Sequence, residues 1–179
     1  ASAQELRQRA LPRKDPNLLA QARAEYRQAA QSYATFLKQH PAAKNAYEYS
    51  YLLAESHYYG GEYAEAAAAY VRVRDADAKG AHLEDAAYGA IKALEHVALT
   101  SLLAARGKAA PAGGEGADDD ISRSLSDALP PLPVVGKVTA AAPPPAVNDD
   151  VTALQAAYDR YVALLPSHER ASLLAYKSA

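Results

Sequence analysis

The run LAESHYYGGEYAEAAAAYVRV, from Leu53 to Val73, decides how this chain folds. Tyr63, Ala66, Tyr70 and Val73 recur at spacings of three and four, the period of a helix and not the alternation of a strand. Gly60-Gly61 supplies a left-handed turn, the usual end of one helix before the next begins. Two helices are therefore expected to meet at the glycine pair and fold back on each other. Ala54 and Ala66 put small residues where the two must touch. Alanine is the best helix former but has too little surface to build a core alone, so close packing and scattered tyrosines must supply it.

Outward from this hairpin the breaks are equally plain. Asp15 and Asn17 bracket Pro16, a helix-start signature, and predict a helix over about 18–40 that Pro41 stops. The next helix is expected over about 43–59, a third over 63–75 ended by the turn Asp77-Ala78-Lys79-Gly80, and a fourth over 83–105. From 107 to 150 the composition turns rich in Ala, Pro, Gly and Asp, and helical periodicity returns at Val151. The organisation read from this pattern is a basic arm or partial helix at 1–17, helical repeats at 18–106, an insertion at 107–150 and a final helix pair at 151–179.

Most of the insertion reads as flexible, because its composition buries too little apolar surface to offset the entropy of ordering it. One part differs. Asp120 stands before Ile121, Leu125 and Leu129, an apolar line at helical spacing, with Pro130-Pro131 at its other end. A short helix over 120–129 is expected, too short to persist alone, so it must lie against something. It either caps the helical array, occupies its groove as an internal ligand, or meets an external partner.

Composition removes several function classes. The formal net charge is −2, which gives no basic field of the kind that holds nucleic acid. Cysteine is absent, so disulfides, thiolate metal sites and cysteine nucleophiles are excluded together. No apolar run approaches the length of a membrane span, and no signal-peptide core is present. Methionine is absent even at position 1, so the chain is expected to be processed or cut from a longer parent.

Motifs for chemistry are missing as well. His40, His57, His82, His96 and His168 show no pair at metal-ligand spacing, and each is expected at the surface or at a helix end. Asp75-x-Asp77-x-Lys79-Gly80 opens like a calcium loop, yet a lysine takes a ligand position and Ala86 stands where the bidentate glutamate belongs. Asp118-Asp119-Asp120 reads as a solvated cap, and Pro130-x-x-Pro133 as linker ahead of polyproline ligand. Glycine-rich phosphate cradles and nucleophile elbows are not present. No enzyme activity, cofactor or metal is expected.

The chain also repeats itself. Tyr33-x-x-Phe36-Leu37-x-x-x-Pro41 returns as Tyr158-x-x-Tyr161-Val162-x-x-x-Pro166, and alanine follows each proline by five residues, at Ala46 and Ala171. Together with Leu53-Ala54 and Gly61-x-Tyr63-x-x-Ala66-x-x-x-Tyr70, this resembles the tetratricopeptide repeat. The first repeat keeps its second-helix half, Ala29-x-x-x-Tyr33-x-x-Phe36. The departures are a spacing of 37 residues from Ala29 to Ala66, Ser50 at a position where the family places a large aromatic, and the insertion between two helices of one repeat. In texture the chain is similar to repeat proteins of the bacterial envelope, including outer-membrane assembly and Tol-associated lipoproteins, and to gliding-motility repeat proteins of myxobacteria.

The resemblance implies an all-α fold, antiparallel helix pairs stacked as a short right-handed solenoid whose first helices line a concave face. It implies a non-catalytic scaffold that holds a protein or peptide there, in a periplasmic or cell-envelope complex. The alternative is a docking module of a larger enzyme or a cytoplasmic signalling protein. On the family's groove positions stand Glu48, Tyr51, Glu55, Tyr58 and Tyr59, with Lys92 and Glu95 as further candidates on the next first helix. Tyr51 and Tyr58 suit core packing as well as recognition, whereas Tyr33, Phe36, Tyr63, Tyr70, Tyr158 and Tyr161 are assigned to core.

Overall fold

A computed structural model describes residues 2–13, 15–108, 121, 124–125 and 148–178. The described residues are all-α: α1 Ala3–Arg13, α2 Pro16–Gln39, α3 Ala46–Gly60, α4 Tyr63–Ala76, α5 Leu83–Ala105, α6 Asp149–Leu164 and α7 Ala171–Ser178.

The helix ends follow local chemistry. Asp15 accepts hydrogen bonds from the backbone of Asn17 and Leu18 at 3.0 and 3.2 Å, and Pro16 opens α2 at the position where a missing N–H costs nothing. Gly61 ends α3 with φ 77°, its neighbour Glu62 N–H returning to the His57 carbonyl at 2.9 Å. An L side chain there would carry the left-handed strain that glycine escapes. Asn148 caps α6 by accepting from Asp150 N–H at 2.9 Å. The expected boundaries lie within a few residues of those observed. The amino-terminal segment is more ordered than a basic arm, because Ser2 and Glu5 close a reciprocal capping box at 2.9 and 3.3 Å and α1 packs on α2.

Each helix packs against its neighbours in the chain: α1 on α2, α2 on α3, α3 on α4, α4 on α5, α5 on α6 and α6 on α7. The same joint is built three times. Backbone N–H groups of residues 43 and 46 bond to the carbonyls of 40 and 43 between α2 and α3. The pattern returns at 77, 80 and 83 between α4 and α5, and at 165, 168 and 171 between α6 and α7. The middle copy carries no proline, so the sequence repeat displays only the outer two.

Two cores share α5. One joins α3, α4 and α5 through Ala54, Ala66, Ala69, Tyr70, Val73, Ala86, Ala90 and Ala93. Alanine faces on three helices let the backbones approach, and Tyr70, 2 % exposed, fills the remaining space. The other gathers Ala87, Ile91, Ala98 and Leu99 of α5 with Leu154, Tyr158 and Tyr161 of α6 and Leu174 of α7. Ile121 and Leu125, both helical, are buried in that second core. Fully burying side chains of this kind stabilises by about 2–3 kcal/mol each. The remainder of the expected 120–129 helix, Asp118–Asp119, the proline-rich stretch and the expected flexibility of the insertion lie outside the described residues.

Tyr70, Tyr158 and Tyr161 are core residues as expected, while Tyr33, Phe36 and Tyr63 are half-buried. Those three make ring contacts outside the two cores instead: Tyr33 and Phe36 both pack on Tyr49, with ring centroids 5.5 and 5.0 Å away, and Tyr63 packs on Tyr58 and His96.

Candidate functional site

The five residues expected to line a groove all come from α3, and the helix brings them together on the side facing α5 and α1. Tyr51 stacks flat on His82, centroids 4.0 Å apart and planes 3° from parallel. Glu48 meets the same imidazole from the exposed side, its carboxylate 2.5 Å from Nε2. Glu55 accepts the Tyr70 hydroxyl, which points out of the core toward it. Tyr58 makes edge contacts with Tyr59, Tyr63 and His96, all between 5.4 and 5.9 Å. Tyr59 lies 5.3 Å from Tyr26 and takes the Arg7 guanidinium on its face at 4.2 Å.

Tyr51 and Tyr58 both pack on the alanine core, as their core reading expects, and both stay half-buried. Burial and the Glu55 carboxylate beside it push the Tyr70 and Tyr51 phenols well above their ordinary range. The Tyr51 and Tyr70 hydroxyls are neutral at physiological pH.

The helix α5 behaves differently from the groove expectation. Glu95 is 2 % exposed and lies between α5, α6 and α7, not on an open face. It accepts the Tyr158 hydroxyl at 2.9 Å and Lys177 Nζ at 3.1 Å, with Lys92 Nζ 4.0 Å away. Such a buried carboxylate persists because partners meet it on several sides. His96, expected at the surface or a helix end, is buried in mid-helix and stacks on Tyr63 at 3.8 Å. Helical spacing places 92, 95 and 96 on one side of α5 but does not say whether that side is covered by a neighbour.

A second pairing escaped sequence reasoning altogether. Glu84, in the first turn of α5, meets His168 Nε2 at 2.8 Å and Arg170 at 3.3 Å, just before α7. Glu48, in the first turn of α3, meets His82 just before α5. In both cases a glutamate opening one odd-numbered helix reaches the residues that introduce the next. The signal was present only as an acidic first turn and a histidine before each following helix, residues that lie 34 or 84 apart in the chain.

Among the described residues no group of three or more His, Cys, Asp or Glu is arranged to hold a metal ion. No described helix is long and apolar enough to cross a membrane. No protein-family model, curated protein or solved structure matches the chain.

Proposed function

We propose that this chain is a non-catalytic scaffold that holds a peptide or protein partner on the face built by α3 and flanked by α1 and α5. The arrangement is read as tetratricopeptide-like, the odd-numbered helices being the first helices of successive pairs. Three copies of one joint and the packing of each helix chiefly on its chain neighbours support that reading.

The observation that carries the proposal is the half-buried row Tyr51, Glu55, Tyr58 and Tyr59, ordered by ring contacts before any partner arrives. Preordered tyrosines offer contact area and hydrogen-bonding tips at little further entropic cost. Glu48 adds an anionic edge, which favours a partner carrying lysine or arginine near its apolar residues. The envelope setting rests on the sequence resemblance, and fractionation of cells that produce the protein checks it.

The experiment is photocrosslinking in cells, with a benzophenone side chain placed at Tyr59, at Glu48 or at Glu65 on the exposed side of α4. One shared adduct from the first two positions and none from the third is the expected result. Adducts from Glu65 alone would move the binding face away from α3.

A further inference from the structure

We propose that the chain has a second docking surface, the groove between α2 and α4, and that it receives an acidic amphipathic helix of a partner protein. The cavity measures ≈ 720 Å³. That is within the range of about 300–1,000 Å³ found for ligand clefts, so it takes several side chains and not a single methyl group.

Its shape comes from side-chain size. Ser50 and Ala46 of α3 make a low floor beside Leu53, while Ala34 of α2 and Ala69 and Ala76 of α4 give thin walls. The Ser50 hydroxyl is spent on the Ala46 carbonyl, at 2.8 Å, so the floor presents little polarity. Leu53, Ala69 and Val73 have already lost their water to the fold, and Leu37 and Tyr47 are half-buried beside them.

Charge selects the occupant. Lys38 on the α2 wall and Arg72 on the α4 wall are both exposed, and neither is held in an ion pair among the described residues. Asp77, the one carboxylate among the lining residues, accepts the Lys79 N–H at 2.9 Å within its own turn, and the two cations outnumber it. An apolar trough with a cation on each bank, in a chain that is acidic overall, matches a helix with leucine-type residues on one face and carboxylates along both edges.

The test is a fluorescence-polarisation titration of the whole chain with two labelled synthetic peptides. One has leucines at helical spacing flanked by glutamates, and the other has every glutamate replaced by lysine. The acidic peptide is expected to bind at least about tenfold tighter than the basic one. Lys38→Glu with Arg72→Glu reverses the preference. Ala34→Trp, at an exposed position, fills the trough and removes binding with the helical circular dichroism unchanged. Equal affinity for the two peptides, no affinity for either, or binding that survives Ala34→Trp would overturn the proposal. Self-association of the unmodified chain that Ala34→Trp abolishes would assign the groove to a second copy instead, and equally overturn it. The titration touches neither Tyr59 nor Glu48, so it stands apart from the reading of the α3 face.

Discussion

Tyrosine supplies 13 of the chain's 14 aromatic side chains, and a buried ring brings a hydroxyl that costs stability unless it finds a partner, as the enclosed Tyr47 hydroxyl does not among the described residues. Tyr70 finds Glu55, Tyr158 finds Glu95 and Tyr161 finds His168, so the apolar cores are stitched to polar groups at their margins. The consequence is a sensitivity to alkali. Burial first, and the adjacent carboxylates second, raise the phenols of Tyr51, Tyr70 and Tyr158 above their unfolded value of about 10. Their folded form keeps the proton that the unfolded form loses, so their contribution is complete below about pH 10 and disappears as pH rises beyond it. Tyrosinate absorbance against pH should therefore show one fraction ionising early and the rest only as helicity collapses. Simultaneous ionisation of all tyrosines with helicity intact would contradict this. Of the six aromatics assigned to core from spacing, Tyr70, Tyr158 and Tyr161 are buried while Tyr33, Phe36 and Tyr63 are only half-buried, and the burial of Glu95 and His96 was not legible at all. Their burial depends on α6, α7 and the Tyr63 ring, which are remote in sequence.

Elements were the most legible scale, because helix ends are set by nearby residues: Pro16 and Asp15, Gly61, Asn148 and the turns after Gln39 and Leu164. What local signals did not convey was how near two helices come. Gly89, inside α5, lies against the Tyr70 ring, and a Cβ added there would stand 2.7 Å from Cε1. An isolated glycine in a helical run is a hint of close approach, visible in the sequence and easily passed over. Propensity alone says that Gly89→Ala should stabilise α5 by about 1 kcal/mol. The contact says otherwise, since Tyr70 is enclosed and cannot retreat, and overpacking costs about 1–3 kcal/mol. Thermal denaturation should show a melting temperature lower by a few degrees in the variant. A rise would mean that α4 and α5 have slack between them.

At the level of the whole molecule, the all-helical class and the order of the helices could be read from the periodicity and the breaks, whereas the division into two cores could not. That division rests on α5 turning Ala86, Ala90 and Ala93 one way and Ala87, Ile91 and Leu99 the other, and on Ile121 and Leu125 joining the second set. The expected docking of those two residues has a measurable reach. Leu125→Ala should cost about 2–5 kcal/mol locally. Hydrogen exchange should then speed up in α5, α6 and α7 while α1 to α3 keep their protection, because the helices pack on their chain neighbours. Equal loss of protection along the whole chain would point to a single cooperative core.

The neighbour-to-neighbour packing also determines how the chain bears a pull. Among the described residues no sheet shares a force applied between Ser2 and Ser178; it runs mainly through the helix interfaces in series, with side-chain ties such as Tyr58–His96 and Glu95–Lys177 joining alternate helices. The alanine-lined contacts and the three like-built joints would yield one after another, the weakest first. A chain built in this way would lengthen and reform in steps, and the partner proposed above, seated across two helix pairs, would act as a splint that stiffens the part it spans and leaves the rest extensible.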